Sequence, residues 1–353
     1  MQFKKLSTPL LLAGALALTA GAQAESSLSL SGYMDLNFEH ISSSGQNTKT
    51  NRMTSGGLNN SRFNISGLED LGSGNKAFFT IEPMFSANTG VASDQMRQSF
   101  LGVRGDWGSF SMGRQFTPSY WIAGYADPTW AAAYSMVNNM QFYYAAYRVN
   151  NAFSYKTPEL SGFTGRLFYS SGESSNTSQQ GGRFLSASLE YRNGPLWLGF
   201  AHQTQYTQDI FKRDEAHSAR DNFFAGVYRI GSVEPTFVFH TYDGYYAYAP
   251  WVQFRSSGWD AQLGVRWNID GPNRVHASFV HRQDRNNQDI GTANGLTIGF
   301  IHGLSKRTDL YVNASKVWNR SDIPNPYPVS WIDATPDKGQ SPSGIQFGIR
   351  HAF

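Results

Sequence analysis

Eight histidines and many serines are the side chains that could support catalysis or bind a metal ion. The histidines show no metal-ligand spacing, and no G-x-S-x-G, H-E-x-x-H or paired-acid motif stands in a convincing context. The chain has no cysteine, which excludes thiolate chemistry. We therefore predict no enzymatic activity, no metal site and no cofactor, and we keep a hydrolase with a serine–histidine pair as a competing class.

Arginines on polar strand faces are the other candidates for chemistry, because a guanidinium group binds carboxylates and phosphates. The neighbours of Arg62 alternate in character, with Phe63 and Ile65 on the opposite face. Arg148 begins a segment with a similar alternation. Arg114 shares its parity with apolar residues, so alternation alone does not decide which way it points.

Strict alternation of apolar and polar residues predicts β-strands, since successive side chains of a strand point to opposite faces. The apolar face of residues 28–39 carries Leu28, Leu30, Met34, Leu36 and Phe38. The apolar face of the last ten residues carries Ile345, Phe347, Ile349 and Phe353. One face of each strand must therefore meet an apolar medium.

An export signal is predicted at residues 1–24 by Lys4 and Lys5, a short apolar run and an Ala-x-Ala cleavage site at 22–24. The mature domain then spans residues 25–353. No later segment approaches the roughly 20 apolar residues that a membrane helix needs. For an exported chain of this kind we expect the apolar medium to be lipid and the strands to close a barrel.

Short turns and long loops alternate along the chain, as they do in transmembrane barrels. Short turns are predicted at 70–75, 105–108, 157–162, 193–195, 231–233, 270–273 and 304–308. Long loops are predicted at 41–59, 86–97, 117–147, 172–182, 207–220, 244–257, 285–293 and 319–343. Residues 251–255 are assigned to a loop, because a separate strand there would make the total odd. The prediction is all-β: a 16-stranded antiparallel transmembrane β-barrel with long extracellular loops and short periplasmic turns.

The charge balance excludes one class of partner. Removal of Lys4 and Lys5 with the signal lowers the formal net charge from +3 to +1. No run of basic residues follows, so we expect no nucleic-acid binding.

Several motifs resemble, in the same order, the general porins of Gram-negative outer membranes, in their proteobacterial version. They are NSRFNISGLEDLG at 60–72, KAFFTIE at 76–82, GDWGSFSMGRQ at 105–115, GLSKRTDLY at 303–311 and the terminal Phe353. The resemblance covers essentially the whole mature chain. It implies a homotrimer of multi-pass barrels in the outer membrane, with the third loop folded into each lumen as a constriction, and passive diffusion of small hydrophilic solutes and ions.

The predicted constriction loop, residues 117–147, is long enough that function or disorder is expected. Its aromatic content argues against disorder. Four members are candidates to line the constriction: Trp121, Tyr125, Trp130 and Tyr134.

The resemblance also implies a cluster of arginines on the wall opposite the loop, at positions matched by Arg62, Arg114 and Arg148. An arginine facing lipid near the midplane costs roughly 2 to 4 kcal/mol, which favours a lumenal position for Arg114 as well. The acids expected near the pore are Asp35, Glu82 and Glu190 on the wall and Asp127, the single carboxylate of the loop. With further wall bases at Arg166, Arg266 and Arg350, we predict a weak preference for anions.

Two other functions remain open. The aromatic loop could make the channel selective for sugars or aromatic acids, and a barrel kept for structure or adhesion would conduct negligibly. The partners expected from the resemblance are outer-membrane lipid, lipopolysaccharide and the barrel-assembly machinery, with Phe353 as the assembly signal.

Overall fold

A computed structural model describes residues 26–43, 49–142, 145–172, 181–208, 216–249, 252–286, 291–320, 326–330 and 336–353. The predicted signal at 1–24 lies outside the described residues. Among the residues that are described, no helix has the length and apolar character needed to cross a membrane.

Strands dominate the described chain. They are β1 (Ser27–Ser42), β2 (Lys49–Ser55), β3 (Arg62–Gly72), β4 (Asn75–Glu82), β5 (Gln98–Gly105), β6 (Gly108–Phe116), β7 (Arg148–Lys156), β8 (Phe163–Ser170), β9 (Phe184–Asn193), β10 (Leu196–Gln208), β11 (Ala216–Tyr228), β12 (Val233–Ala249), β13 (Val252–Asp270), β14 (Asn273–Asp284), β15 (Ala293–Gly303), β16 (Thr308–Asn319) and β17 (Ser343–Ala352). A helix, α1 (Pro118–Ala126), and a five-residue π-helical turn at Val137–Gln141 lie between β6 and β7.

The strands form one closed antiparallel barrel. β1 pairs along one edge with β17 and along the other with β2 and β3. Since β2 and β3 pair with different halves of the same edge, they are two segments of a single barrel strand that is interrupted at 56–61. The barrel therefore has 16 strands, as predicted.

The polarity of the two faces is inverted relative to a water-soluble protein. In β1, Asp35, Asn37 and Glu39 are buried, whereas Met34 and Phe38 are exposed. The predicted apolar face of β17 is exposed in the same way. A ring of exposed large apolar side chains around a polar interior matches a barrel whose outer surface contacts lipid.

The predicted short turns are all present, and the differences lie in the loops. The predicted loop at 244–257 is wrong, because β12 continues to Ala249 and β13 begins at Val252. Residues 252–255 therefore extend an existing strand rather than adding one, which leaves the strand number even. The predicted loop at 41–59 is partly wrong as well, because it contains β2.

The third loop lies inside the barrel and packs against one side of it. Helix α1 begins after Thr117, whose hydroxyl accepts from the Tyr120 N–H at 3.3 Å and caps the helix. Ile122, Ala123 and Ala126 then join a buried cluster with Phe223 and other inward-facing residues of β10–β12. The wall of a water-filled lumen is normally polar. This stretch of inner wall is apolar because the loop covers it.

Glycines on the inner wall make room for the loop. A Cβ atom at Gly344 would lie 2.5 Å from the Tyr134 hydroxyl, and one at Gly199 would lie 2.8 Å from Ile122 Cδ1. Gly264 and Gly295 play the same part under Pro128 and Met136. Glycine at these wall positions therefore leaves the space that the loop occupies.

Candidate pore constriction

The packed loop leaves a cavity of about 580 Å³ on the other side of the lumen. The aromatic side chains of Phe116, Tyr120, Trp121 and Trp130 form one part of its lining. The opposite part comes from β1, β3, β4, β5, β12, β13, β14, β15 and β17, together with the break at 56–61. This cavity is the candidate constriction of the lumen.

Arg62 and Glu82, both predicted at the pore, meet there with a third residue, Arg97. Glu82 lies between the two guanidinium groups, 3.4 Å from Arg62 Nε and 3.7 Å from Arg97 Nε. The Arg62 guanidinium also lies 4.7 Å above the ring of Tyr33. One carboxylate thus holds two guanidinium groups that line the cavity.

A second basic group lies on β14 and β17. Asp309 binds both Arg274 and Arg350, and Arg350 also donates to Asn59 Oδ1 at 2.5 Å. Its guanidinium lies 5.6 Å from the Tyr33 ring, which it shares with Arg62. The two basic groups are therefore linked through one aromatic ring.

Arg266 is the fifth arginine of the cavity. It lies 3.1 Å from Glu234 and donates to the Tyr125 carbonyl oxygen at 3.2 Å. The lining thus contains five guanidinium groups and two carboxylates. Neither carboxylate comes from the third loop among the lining residues that the structure describes.

Arg114 and Arg148 lie beside this cavity rather than in its lining. With Arg183 they line a separate groove of about 470 Å³. A register shift opposite Arg114 lets its guanidinium donate to the Met96 carbonyl oxygen at 2.7 Å and to Asn150. Arg148 is nearer to the pore, with its guanidinium 5.6 Å from the ring of Phe116.

Asp127 does not reach the pore, which corrects the expectation that it is the loop's pore-facing carboxylate. It is fully buried. One of its oxygens, Oδ2, accepts from the Thr129 hydroxyl, the Ala131 N–H and the Ser135 hydroxyl, each at 2.7 Å. Asp127 therefore folds the loop.

Asp35 is also buried and does not line the cavity. Its carboxylate accepts backbone N–H groups from Gly57 at 3.2 Å and from Leu58 and Asn59 at 2.8 Å. The Tyr311 hydroxyl donates to it at 2.5 Å. Asp35 thus fixes the inward break between β2 and β3.

The four predicted loop aromatics divide into two pairs. Trp121 and Trp130 line the cavity, with exposed fractions of 38% and 46%. Tyr125 packs against Trp130, with ring centroids 5.3 Å apart, and Tyr134 is fully buried against the wall. The first pair is available to a solute, and the second holds the loop.

A buried polar network on the wall also holds the loop. His240 contacts Asp260 at 2.9 Å through Nδ1 and Asp221 at 3.1 Å through Nε2. Asp260 in turn accepts from Gln141 of the loop at 2.6 Å, and Arg282 donates to the Met140 carbonyl oxygen at 2.6 Å. These polar contacts lie next to the apolar packing around Phe223. The network joins the loop to β11, β12, β13 and β14.

Sequence reasoning missed Arg97 and Arg274 as pore residues. Arg274 has the same parity as the inward-facing His276 and Ser278, so alternation could have found it. Arg97 lies just before β5, where no alternation applies.

A family profile described as Gram-negative porin matches residues 12–322. The chain belongs to the Gram-negative porin family. This porin is therefore a channel protein of the outer membrane and not an enzyme, and it passes small solutes.

Two curated relatives span the porin almost completely. Outer membrane porin protein 32 of Delftia acidovorans is 27% identical over 96% of this chain and 97% of its own length. An outer membrane porin protein of Bordetella pertussis is 26% identical over 99% of this chain and 100% of its own length.

Among solved structures, the anion-selective porin from Comamonas acidovorans shares the fold with a TM-score of 0.82. It is 24% identical, over 93% of this porin and all of that chain. OmpT of Vibrio cholerae is more distant, with a TM-score of 0.68 and 12% identity over 93% of this porin and 98% of that chain.

Proposed function

We propose that this porin admits small hydrophilic anions in preference to cations, and that the preference is weak. The observation that carries the proposal is the cavity lining, with five guanidinium groups against two carboxylates. Asp309 neutralises part of the excess by bridging Arg274 and Arg350. A small positive excess in a narrow, water-filled passage favours anions without excluding cations.

The test is the reversal potential of the purified porin in planar bilayers across a potassium chloride gradient. Anion selectivity at neutral pH supports the proposal, and cation selectivity overturns it. Arg274→Gln removes one charge from the lining and is expected to reduce the anion preference. Arg307→Gln is the control, because Arg307 is an exposed turn residue outside the cavity.

The assembly and processing of the porin form a second part of the proposal. The mature chain, after loss of residues 1–24, forms a homotrimer. The outer face supports this with an apolar groove of about 300 Å³ that Leu28, Phe79 and Leu101 help to line. Three equal conductance steps per insertion would support a trimer, and single steps with a monomeric mass in detergent would refute it.

Two partners complete the proposal: lipopolysaccharide in the outer leaflet, and the barrel-assembly machinery, which would recognise the strand that ends at Phe353. Phe353 pairs with Gly32 through backbone hydrogen bonds of 3.0 and 3.2 Å, and its ring contacts Phe63. The last residue thus takes part in closing the barrel, as an assembly signal at this position would require. Crosslinking of the nascent chain and co-purification of lipid with the folded barrel would test the two partners separately.

A further inference from the structure

The cavity combines two recognition chemistries that a pore for simple ions does not need. Trp121 and Trp130 present half-exposed indole rings to the lumen. Guanidinium groups of Arg62, Arg274 and Arg350 line the same space. Inorganic anions need only the guanidinium groups, and neutral sugars need only the rings.

Trp130 is held in its exposed position at a cost in backbone strain. Its φ is +54°, and that of the next residue, Ala131, is +55°, in the left-handed region that bulky residues rarely adopt. Asp127 enforces this geometry, since its carboxylate accepts from the Ala131 N–H at 2.7 Å and its carbonyl oxygen accepts from the Trp130 N–H at 3.1 Å. Strain of this kind persists only where the surroundings over-determine it, and it clusters at ligand sites.

The ring of Trp130 is also rigidly supported. Tyr125 meets it edge to face with centroids 5.3 Å apart, and Tyr125 packs on Trp197 of the wall at 4.4 Å. The Tyr125 hydroxyl accepts from Arg192 at 3.0 Å, which fixes it further. A rigid aromatic surface binds a flat ligand with little loss of side-chain entropy.

The guanidinium groups are fixed as well and retain unused donors. Arg350 is held through its two terminal nitrogens by Asn59 and Asp309. Arg62 is held by the Asn60 carbonyl oxygen at 3.1 Å and by Glu82. A solute carboxylate would gain charge-assisted hydrogen bonds from groups that are already in place.

We infer that the constriction is a binding site for planar aromatic carboxylates, with Trp130 stacking on the ring and the arginines of the cavity binding the carboxylate. The inference deepens the proposed function and rests on the anion preference. The volume of about 580 Å³ lies within the roughly 300–1,000 Å³ of small-molecule sites. A site of this kind gives saturable passage superimposed on general diffusion.

The test compares benzoate with cyclohexanecarboxylate, which has the same charge and a similar size but no flat π face. Single-channel current of the wild-type porin in potassium chloride is recorded while either acid is added. Benzoate is expected to interrupt the current with a half-saturating concentration about two- to tenfold lower than that of cyclohexanecarboxylate. Equal values in an anion-selective pore overturn the inference and leave the proposed function standing, whereas cation selectivity overturns the proposed function itself.

Variants then assign the ring contact. Trp130→Ala is expected to abolish the difference between the two acids, and Trp130→Phe to retain most of it. Trp318→Ala is the matched control, since Trp318 is an equally exposed tryptophan on the outer face, at 44%. If Trp130→Ala does not fold, the wild-type comparison and Trp130→Phe still decide, because loss of benzoate preference in the folded phenylalanine variant contradicts a stacking role. A folded alanine variant that keeps the preference also overturns the assignment of Trp130.

Discussion

The ring of Phe142 in the third loop stacks on the ring of Phe223 in β11, with centroids 4.6 Å apart and planes inclined by 6°. His240 stacks on the other face of Phe223 at 4.1 Å. The wall residue is thus enclosed between the loop and a histidine whose two ring nitrogens contact carboxylates. This contact connects the apolar and the polar halves of the loop's attachment.

Phe223→Ala should therefore loosen the loop. Removal of a fully buried phenylalanine costs about 3–5 kcal/mol in unfolding free energy. We expect lower stability in urea titrations and a larger, noisier single-channel conductance. Phe224→Ala is the control on the next residue, whose ring is 44% exposed on the outer face. Equal conductance changes in both variants would contradict a specific attachment.

Glu82→Gln should strengthen the anion preference. The carboxylate neutralises Arg62 and Arg97 at 3.4 and 3.7 Å, and its loss leaves two uncompensated charges at the constriction. The reversal potential should move further in the direction of anion selectivity. Glu69→Gln, at an exposed position outside the cavity, should leave it unchanged. A shift toward cations in Glu82→Gln would contradict the assigned geometry.

Asp127→Ala should act through loop folding rather than through the field in the pore. Three donors lose their acceptor, and each such bond to a charged group is worth about 1.5–3 kcal/mol. We expect lower stability and variable conductance levels. Asp127→Asn keeps an acceptor oxygen and removes the charge, so its reversal potential should stay close to that of the wild type. A large change in selectivity in the asparagine variant would show that the charge is felt in the pore.

Tyr311→Phe should destabilise the break at 56–61, because Asp35 loses the hydroxyl that donates at 2.5 Å. The expected cost is about 1.5–3 kcal/mol in unfolding free energy. Tyr155→Phe removes a bond of 2.7 Å to the Trp107 carbonyl oxygen at an exposed position and should cost less. The measurement is the urea midpoint of unfolding of each variant. Equal losses of stability in the two variants would contradict a special role for Asp35.

Deletion of Phe353 should reduce the yield of folded porin in the outer membrane. The residue supplies two backbone hydrogen bonds to Gly32 and an aromatic contact to Phe63. Heat-modifiable mobility on gels separates folded from unfolded porin. Phe347→Ala, on the same face of β17, is the control for loss of an outer aromatic. An unchanged yield after deletion would refute the role of Phe353 in assembly.

The barrel could be predicted from the sequence because lipid outside and a polar lumen impose a simple alternation on each strand. β12 extends into the predicted loop as far as Ala249, and β13 begins within it at Val252. The alternation between lipid and lumen does not mark the ends of strands that extend this far. The break between β2 and β3 was missed for a related reason. It depends on hydrogen bonds to Asp35 that connect residues more than 20 positions apart.

The pore could be predicted only in part. Alternation tells which side chains point inward, and it predicted an inward position for Arg62, which lines the cavity with Glu82. It does not tell which inward side chains remain in contact with water. Asp35 and Asp127 are covered by chain that packs over them, and this depends on contacts between distant segments.

The break at 56–61 means that the passage is narrowed from two directions. Leu58 and Asn59 enter the lining from the wall itself, and the neighbouring Gly57 carbonyl oxygen accepts from the Ala133 N–H of the third loop at 3.0 Å. The two elements are anchored by different carboxylates, Asp35 for the wall and Asp127 for the loop. A change of residues between Leu58 and Ser61 that keeps the Gly57 contact could therefore alter the cut-off for solute size, while the Asp127 contacts still hold the loop and its aromatic surface in place.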